Sequence, residues 1–145
     1  MKIVLASDHA GRDYRKIIRD RLAAQGFSLT DLGVADGLER ADYPEYARQA
    51  AAAVVGGAAD RGILICGTGT GMAMAANKVK GVRAANCTCE IMARLARSHN
   101  DANILTLGAR ILGLELAQAI VAAFLTTGFD GGRHQERLDK LESGR

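Results

Sequence analysis

Residues 63–78 read Ile63-Leu64-Ile65-Cys66-Gly67-Thr68-Gly69-Thr70-Gly71-Met72-Ala73-Met74-Ala75-Ala76-Asn77-Lys78. A short apolar run stops at Cys66, three glycines alternate with threonines, and an alanine-rich stretch follows. That order predicts strand, tight loop, helix. Runs of strand character recur along the chain, giving candidates at Ile3–Ala6, Phe27–Leu32, Gly62–Cys66, Val82–Cys87 and Asn103–Leu107. Between the first two, Tyr14, Ile17, Ile18 and Leu22 repeat at helical spacing, and Gly26 supplies a stop. Asp42-Tyr43-Pro44 marks a helix start, with proline at the first helical position. Leu112, Leu116, Ile120 and Phe124 are expected on one face of a later helix that Gly128 ends. The turn Asp130-Gly131-Gly132 then opens a charged C-terminal helix over about 131–142. Five buried-type strands alternating with helices indicate an α/β fold, a parallel five-stranded sheet covered on both faces. No repeat or linker interrupts it, so 1–145 is expected to form one domain.

Composition narrows the function. Of 145 residues, 48% are hydrophobic and 24% charged, as in ordinary globular proteins. Trp is absent and only three Tyr and three Phe occur. Single-strand nucleic-acid binding relies on aromatic platforms, so that class is disfavoured. The net charge of +3 is scattered and forms no basic stripe, which likewise speaks against a nucleic-acid partner. No apolar stretch reaches the ~18 residues of a membrane span, and no signal-peptide pattern opens the chain. Three cysteines, an odd number, point to reduced thiols and a cytoplasmic location.

In open parallel sheets, ligands bind beyond the carboxyl ends of the strands. Ser7-Asp8-His9 follows the first strand, Cys66-Gly67-Thr68-Gly69 the third and Gly108-Ala109-Arg110 the fifth, so these groups converge on one rim. The glycine loop fits neither nucleotide template. No Gly-Lys-Ser/Thr follows, and the third glycine of a dinucleotide fingerprint would fall on Met72. What remains is a row of backbone N–H groups for a small anion or oxyanion, or else a plain tight turn. Cys66 is either a thiolate favoured by that loop or an inert buried thiol closing a strand. Cys87-Thr88-Cys89 lacks the usual zinc-knuckle spacing and has no second pair, so no metal is expected. Asp8-His9 and His99-Asn100-Asp101 each pair an imidazole with an acid, read as proton-transfer groups on opposite approaches to the rim. Arg133 and Arg137 share a helix face, as a phosphate clamp or as part of a solvated charged helix.

Together the segments SDHAG (7–11), DYPEYA (42–47), ILICGTGTGMAMAANK (63–78), GVRAA (81–85), SHNDANILTLGAR (98–110) and GGRHQERL (131–138) resemble the type B ribose-5-phosphate isomerase family, which includes galactose- and allose-6-phosphate isomerases. They span nearly the whole chain. The resemblance implies a Rossmann-like three-layer α/β/α sandwich working as a homodimer, or as paired dimers, with sites between subunits. It implies aldose–ketose isomerisation of a phosphorylated sugar through a cis-enediolate, without metal or cofactor. In that scheme Cys66 is the base. The backbone of Gly67, Gly69, Thr70 and Gly71, with Thr68, holds the enediolate oxygens. Asp8 and His99 assist ring opening, Tyr43 and Asn100 contact sugar hydroxyls, and His9, Arg110, Arg133 and Arg137 bind the phosphate.

Ribose 5-phosphate is the expected substrate, and four- or six-carbon aldose phosphates are the alternatives within the same chemistry. A non-catalytic sugar-phosphate-binding module is a further alternative, although it has no need of a base. One segment departs from the family pattern. Where an acid and then a Tyr-Ser/Thr-Ala-like stretch is usual, this chain reads Cys87-Thr88-Cys89-Glu90-Ile91-Met92-Ala93. Altered dimer packing or a reshaped sugar pocket is the expected consequence.

Overall fold

The structure is a computed structural model describing residues 1–37 and 40–143. In chain order the elements are β1 (Lys2–Ser7), α1 (Arg12–Ala24), β2 (Ser28–Asp31), α2 (Tyr43–Val55), β3 (Arg61–Cys66), α3 (Thr70–Ala76), β4 (Ala84–Asn86), α4 (Glu90–Asn100), β5 (Ile104–Gly108), α5 (Leu114–Thr126) and α6 (Arg133–Ser143). Every strand pairing is parallel, and the spatial order is β2-β1-β3-β5-β4. The three central strands are buried along nearly their whole length, which is why they read as unbroken apolar runs.

Alternation along those strands builds two cores. Ile3, Leu5, Ile63, Ile65, Leu105 and Leu107 face α1, α4 and α5. Val4, Ala6, Leu64, Cys66 and Ile104 face α2 and α3, whose buried Ala47, Ala50, Ala51 and Ala76 let these helices sit close to the sheet. The expected three-layer α/β/α sandwich is therefore the architecture found.

Three local expectations are corrected. The run 82–87 supplies only a three-residue strand. β4 is an edge, and the Asn77 side chain occupies it by donating to the Ala84 carbonyl (2.9 Å) and accepting from the Ala84 N–H (2.8 Å). In α5 the buried face is Ala117, Ile120, Val121 and Phe124; Leu112 lies before the helix and Leu116 points outward. Ile120 and Phe124 lie on the buried face as expected, and Ala117 rather than Leu116 continues that face toward the helix start. The C-terminal helix starts at Arg133 rather than 131, because Gly131 and Gly132 both take positive φ.

Candidate active site

The chain leaves β1 for β2 on one side and returns as β3 on the other, which opens a crevice between the carboxyl ends of β1 and β3. Asp8 follows β1 and is buried; its Oδ1 accepts from the N–H of Ala10 (2.9 Å) and Gly11 (3.1 Å). Those two bonds fix the carboxylate against the entry to α1. His9 is exposed, and its Nδ1 lies 3.3 Å from both the N and the O of Ala41. The imidazole is thereby tethered beside Tyr43 at the start of α2. Behind them, buried Arg15 donates to Ser7 Oγ (3.0 Å) and the Val34 carbonyl (3.2 Å) and pairs with Asp31, holding the β1 exit in place.

Cys66 ends β3 with 4% of its surface exposed, and its Sγ accepts a hydrogen bond from the Gly69 N–H at 3.1 Å. Gly69 reaches that position in the left-handed region, at φ +80°. A Cβ there would meet Asn86 Oδ1 at 2.2 Å and the Leu107 carbonyl carbon at 2.9 Å, so only glycine fits. The exit of β5 is stitched to the same loop: Ala109 N–H donates to the Cys66 carbonyl (2.9 Å) and Arg110 N–H to the Gly67 carbonyl (3.0 Å). The Arg110 side chain lies over Gly67 and the Tyr43 ring over Gly71, within 3.4 Å and 2.8 Å of where a Cβ would stand. One chain thus gathers Asp8, His9, Tyr43, Cys66, Gly67, Thr68, Gly69, Thr70, Gly71 and Arg110 on one rim. The Gly69 N–H donates to the Cys66 sulfur, so the loop fixes the position of the thiol.

The remaining predicted residues lie elsewhere: within one chain His99 does not approach the rim beside the fifth strand that the sequence suggested. His99 and Asn100 close α4, which runs back toward the amino end of the sheet. Arg83, just before β4, donates to the Asn100 carbonyl (3.1 Å), and Asp130 N–H donates to the Ser98 carbonyl (3.0 Å). Gly62 pairs with Ile104 and Cys66 with Gly108, so four residues separate the two ends. At about 3.3 Å per residue, the amino end of β5, which α4 leads into, lies about 13 Å from the Cys66 end of the sheet. Arg133 and Arg137 accompany His99, because the His134 ring between them stacks on His99 with centroids 4.3 Å apart. The sequence reading assigned nothing to His134, and its only signal was a place between two arginines. Burial, with the nearby charges of His99, Arg133 and Arg137, holds the His134 imidazole below the usual histidine range.

His99, Asp130 and His134 bring ligand atoms within 4.8 Å of one another. The two imidazole planes, however, are only 8° from parallel. In-plane lone pairs on stacked rings do not converge on one ion, so the cluster as oriented is not a metal cage. Nor do the cysteines pool. Cys66 belongs to the core facing α2 and α3, whereas Cys87 belongs to the opposite face. Burial and the neighbouring Cys89 push the Cys87 thiol up to about 11, so it packs as an unreactive core filler.

A sequence profile described as Ribose/Galactose Isomerase matches residues 3–141. The chain belongs to the ribose/galactose isomerase family. Ribose-5-phosphate isomerase B of Escherichia coli is 47% identical over 140 residues, covering 97% of this chain and 93% of that protein. D-erythrulose-4-phosphate isomerase of Pectobacterium atrosepticum is 40% identical, with coverage of 97% and 93%. The structure of ribose-5-phosphate isomerase B from Clostridium thermocellum superposes with a TM-score of 0.96 at 49% identity, covering 99% of this chain and 96% of that one. That of the Mycoplasma genitalium enzyme with bound ribulose 5-phosphate gives 0.95 at 45% identity, covering 99% and 95%. In this member of the ribose/galactose isomerase family, the unusual segment after β4 buries Cys87 and Ala93 and turns Ile91 and Met92 outward. Ile91 and Met92 therefore add apolar side chains to an outer surface. Among the described residues, no helix is long and apolar enough to cross a membrane.

Proposed function

We propose that this protein interconverts ribose 5-phosphate and ribulose 5-phosphate, with Cys66 as the base. The observation that carries the reading is the Cys66 sulfur held 3.1 Å from the Gly69 N–H at the lip of a loop of backbone donors, in a chain of this family. The sulfur removes the C2 proton of the open-chain aldose and returns it to C1, while a hydroxyl proton passes from O2 to O1. Charge develops on these oxygens. The backbone from Gly67 to Gly71 and the Thr68 hydroxyl line the place where it is held, with the Gly69 N–H already donated to Cys66 Sγ. Preorganised donors of this kind are worth about 10²–10³ in rate each. Asp8 is the ring-opening group on the same rim, Tyr43 contacts a sugar hydroxyl, and His9 and Arg110 bind the phosphate.

His99, Asn100, Arg133 and Arg137 join this site from a second copy of the chain. Both halves exist in each protomer but at opposite ends of the sheet, and a two-fold dimer brings unlike ends together twice. The exposed apolar side chains Met74, Ile91, Met92 and Leu95 are suited to lie in such an interface. Three free cysteines and a metabolic sugar phosphate as substrate favour the cytoplasm.

The test is to equilibrate the protein with ribose 5-phosphate in deuterated water. Ketose formation with deuterium entering at the transferred position is expected, and loss of both in Cys66→Ala. An active Cys66→Ala protein would sink the assignment of the base. The relative named for D-erythrulose 4-phosphate keeps a second reading in view, the same chemistry on a four-carbon sugar. A panel of four-, five- and six-carbon aldose phosphates ranked by kcat/KM separates the two.

A further inference from the structure

We infer that Asn86 is a positioning residue for the glycine loop, acting through a hydrogen-bonded relay from Thr106. Thr106 is the one polar side chain in the buried run of β5 and is fully enclosed. Asn86 is its partner across the β4–β5 pairing. The Thr106 hydroxyl donates to Asn86 Oδ1 at 3.3 Å, and Asn86 Nδ2 donates to the Thr68 carbonyl at 3.4 Å and to Thr70 Oγ1 at 3.2 Å. The amide orientation follows from chemistry, because the Thr68 carbonyl can only accept and the nitrogen must face it. Asn86 thus grips the loop on both sides of Gly69. Its oxygen also occupies the space where a Cβ of residue 69 would stand, 2.2 Å away. The left-handed turn at Gly69, which aims its N–H at Cys66 Sγ, is braced from the sheet edge through this amide.

A sheet-edge asparagine that touches the loop and not the thiol acts by keeping donors aligned. Displacements of about 1 Å in a reacting geometry cost about 10²-fold. Replacing Asn86 by Leu keeps its bulk and removes the relay. The expected result is a kcat lower by about 10- to 100-fold with KM held within about threefold. Thr106→Val, which removes only the hydroxyl, gives a smaller loss in the same direction, and Thr106→Ser restores most of it. In the double variant the two losses are less than additive, since both act through one amide.

This inference rests on the isomerase reading, so a second readout stands apart from turnover. The rate of Cys66 alkylation by iodoacetamide, followed by mass spectrometry, changes in Asn86→Leu as the Gly69 N–H leaves the sulfur. An inactive wild-type protein would count against the proposed reaction, and the alkylation comparison would then decide the role of Asn86. Wild-type kcat and an unchanged alkylation rate in Asn86→Leu overturn the inference. A fall in activity that only parallels a fall in Tm, with no rescue by Thr106→Ser, overturns it too.

Discussion

Replacing Gly69 by Ala tests the site where local conformation and chemistry meet. The residue sits at φ +80°, which costs an L side chain about 1–2 kcal/mol. The added methyl would stand 2.2 Å from Asn86 Oδ1 and 2.9 Å from the Leu107 carbonyl carbon. Ordinary contact begins near about 3.5 Å, so the loop must retreat by about 1 Å from an oxygen and a strand backbone. A further 1–2 kcal/mol is a fair order for that displacement, by analogy with overpacked cores. The total of about 2–4 kcal/mol lowers Tm by about 4–16 °C in a chain of this size.

Retreat also draws the Gly69 N–H off Cys66 Sγ and misaligns the neighbouring donors, so kcat falls by about 10²–10³. Gly57→Ala is the control. It takes φ +75° with nothing within 4 Å of the added methyl, so it carries the conformational cost alone. Scanning calorimetry and initial rates of ketose formation on both variants separate the two effects. If Gly69→Ala keeps kcat within threefold of wild type, or Gly57→Ala loses activity comparably, the assigned role of the loop is refuted.

Sharing of the site between subunits predicts complementation. Cys66→Ala and His99→Asn are each inactive, but unfolded together and refolded they regain about a quarter of wild-type activity, since half the dimers carry one intact site. No recovery, with mixed dimers shown by mass, would place both groups in one protomer's site. Asp101 receives buried Arg97 at 2.7 Å and Arg83 at 2.9 Å from a left-handed position at φ 43°. Asp101→Asn keeps a residue tolerant of that backbone and strips the charge, so about 3 kcal/mol of stability is expected to go, read by urea unfolding. His134 titrates below its unfolded value, chiefly because of burial. The unfolded chain therefore binds its proton first, and stability is lost as pH falls below about 6.5. In His134→Gln the drop in Tm between neutral and acid pH is shallower; an unchanged slope would remove His134 from the acid response.

Much of this was legible in residue order. Alternating apolar runs and helical repeats prescribe a covered parallel sheet, because strands buried on both faces must be apolar throughout. Chain direction then puts Asp8, Cys66 and Arg110, each following a strand, on the carboxyl rim. The glycines of residues 67–71 spoke for a backbone cradle once both nucleotide spacings had failed. His99 precedes the fifth strand, and its closeness in sequence to that strand does not bring it to the carboxyl end. Residues preceding a parallel strand belong to the other end. Asn86 looked like the tail of an apolar strand, and Thr106 like an ordinary β-branched residue within one.

What the sequence determined alone was the set of elements, their direction and the chemistry displayed at strand ends. These depend on periodicity and on neighbours a few residues apart. The tertiary structure alone decided which side chains meet across strands. It brought Asn86 against Thr68 and Thr70, Tyr43 against Gly71 and His134 against His99. Such meetings depend on strand order and register, which arise from packing the whole chain at once. Cys66 had its place from the sequence; the amide that holds its sulfur came from the fold.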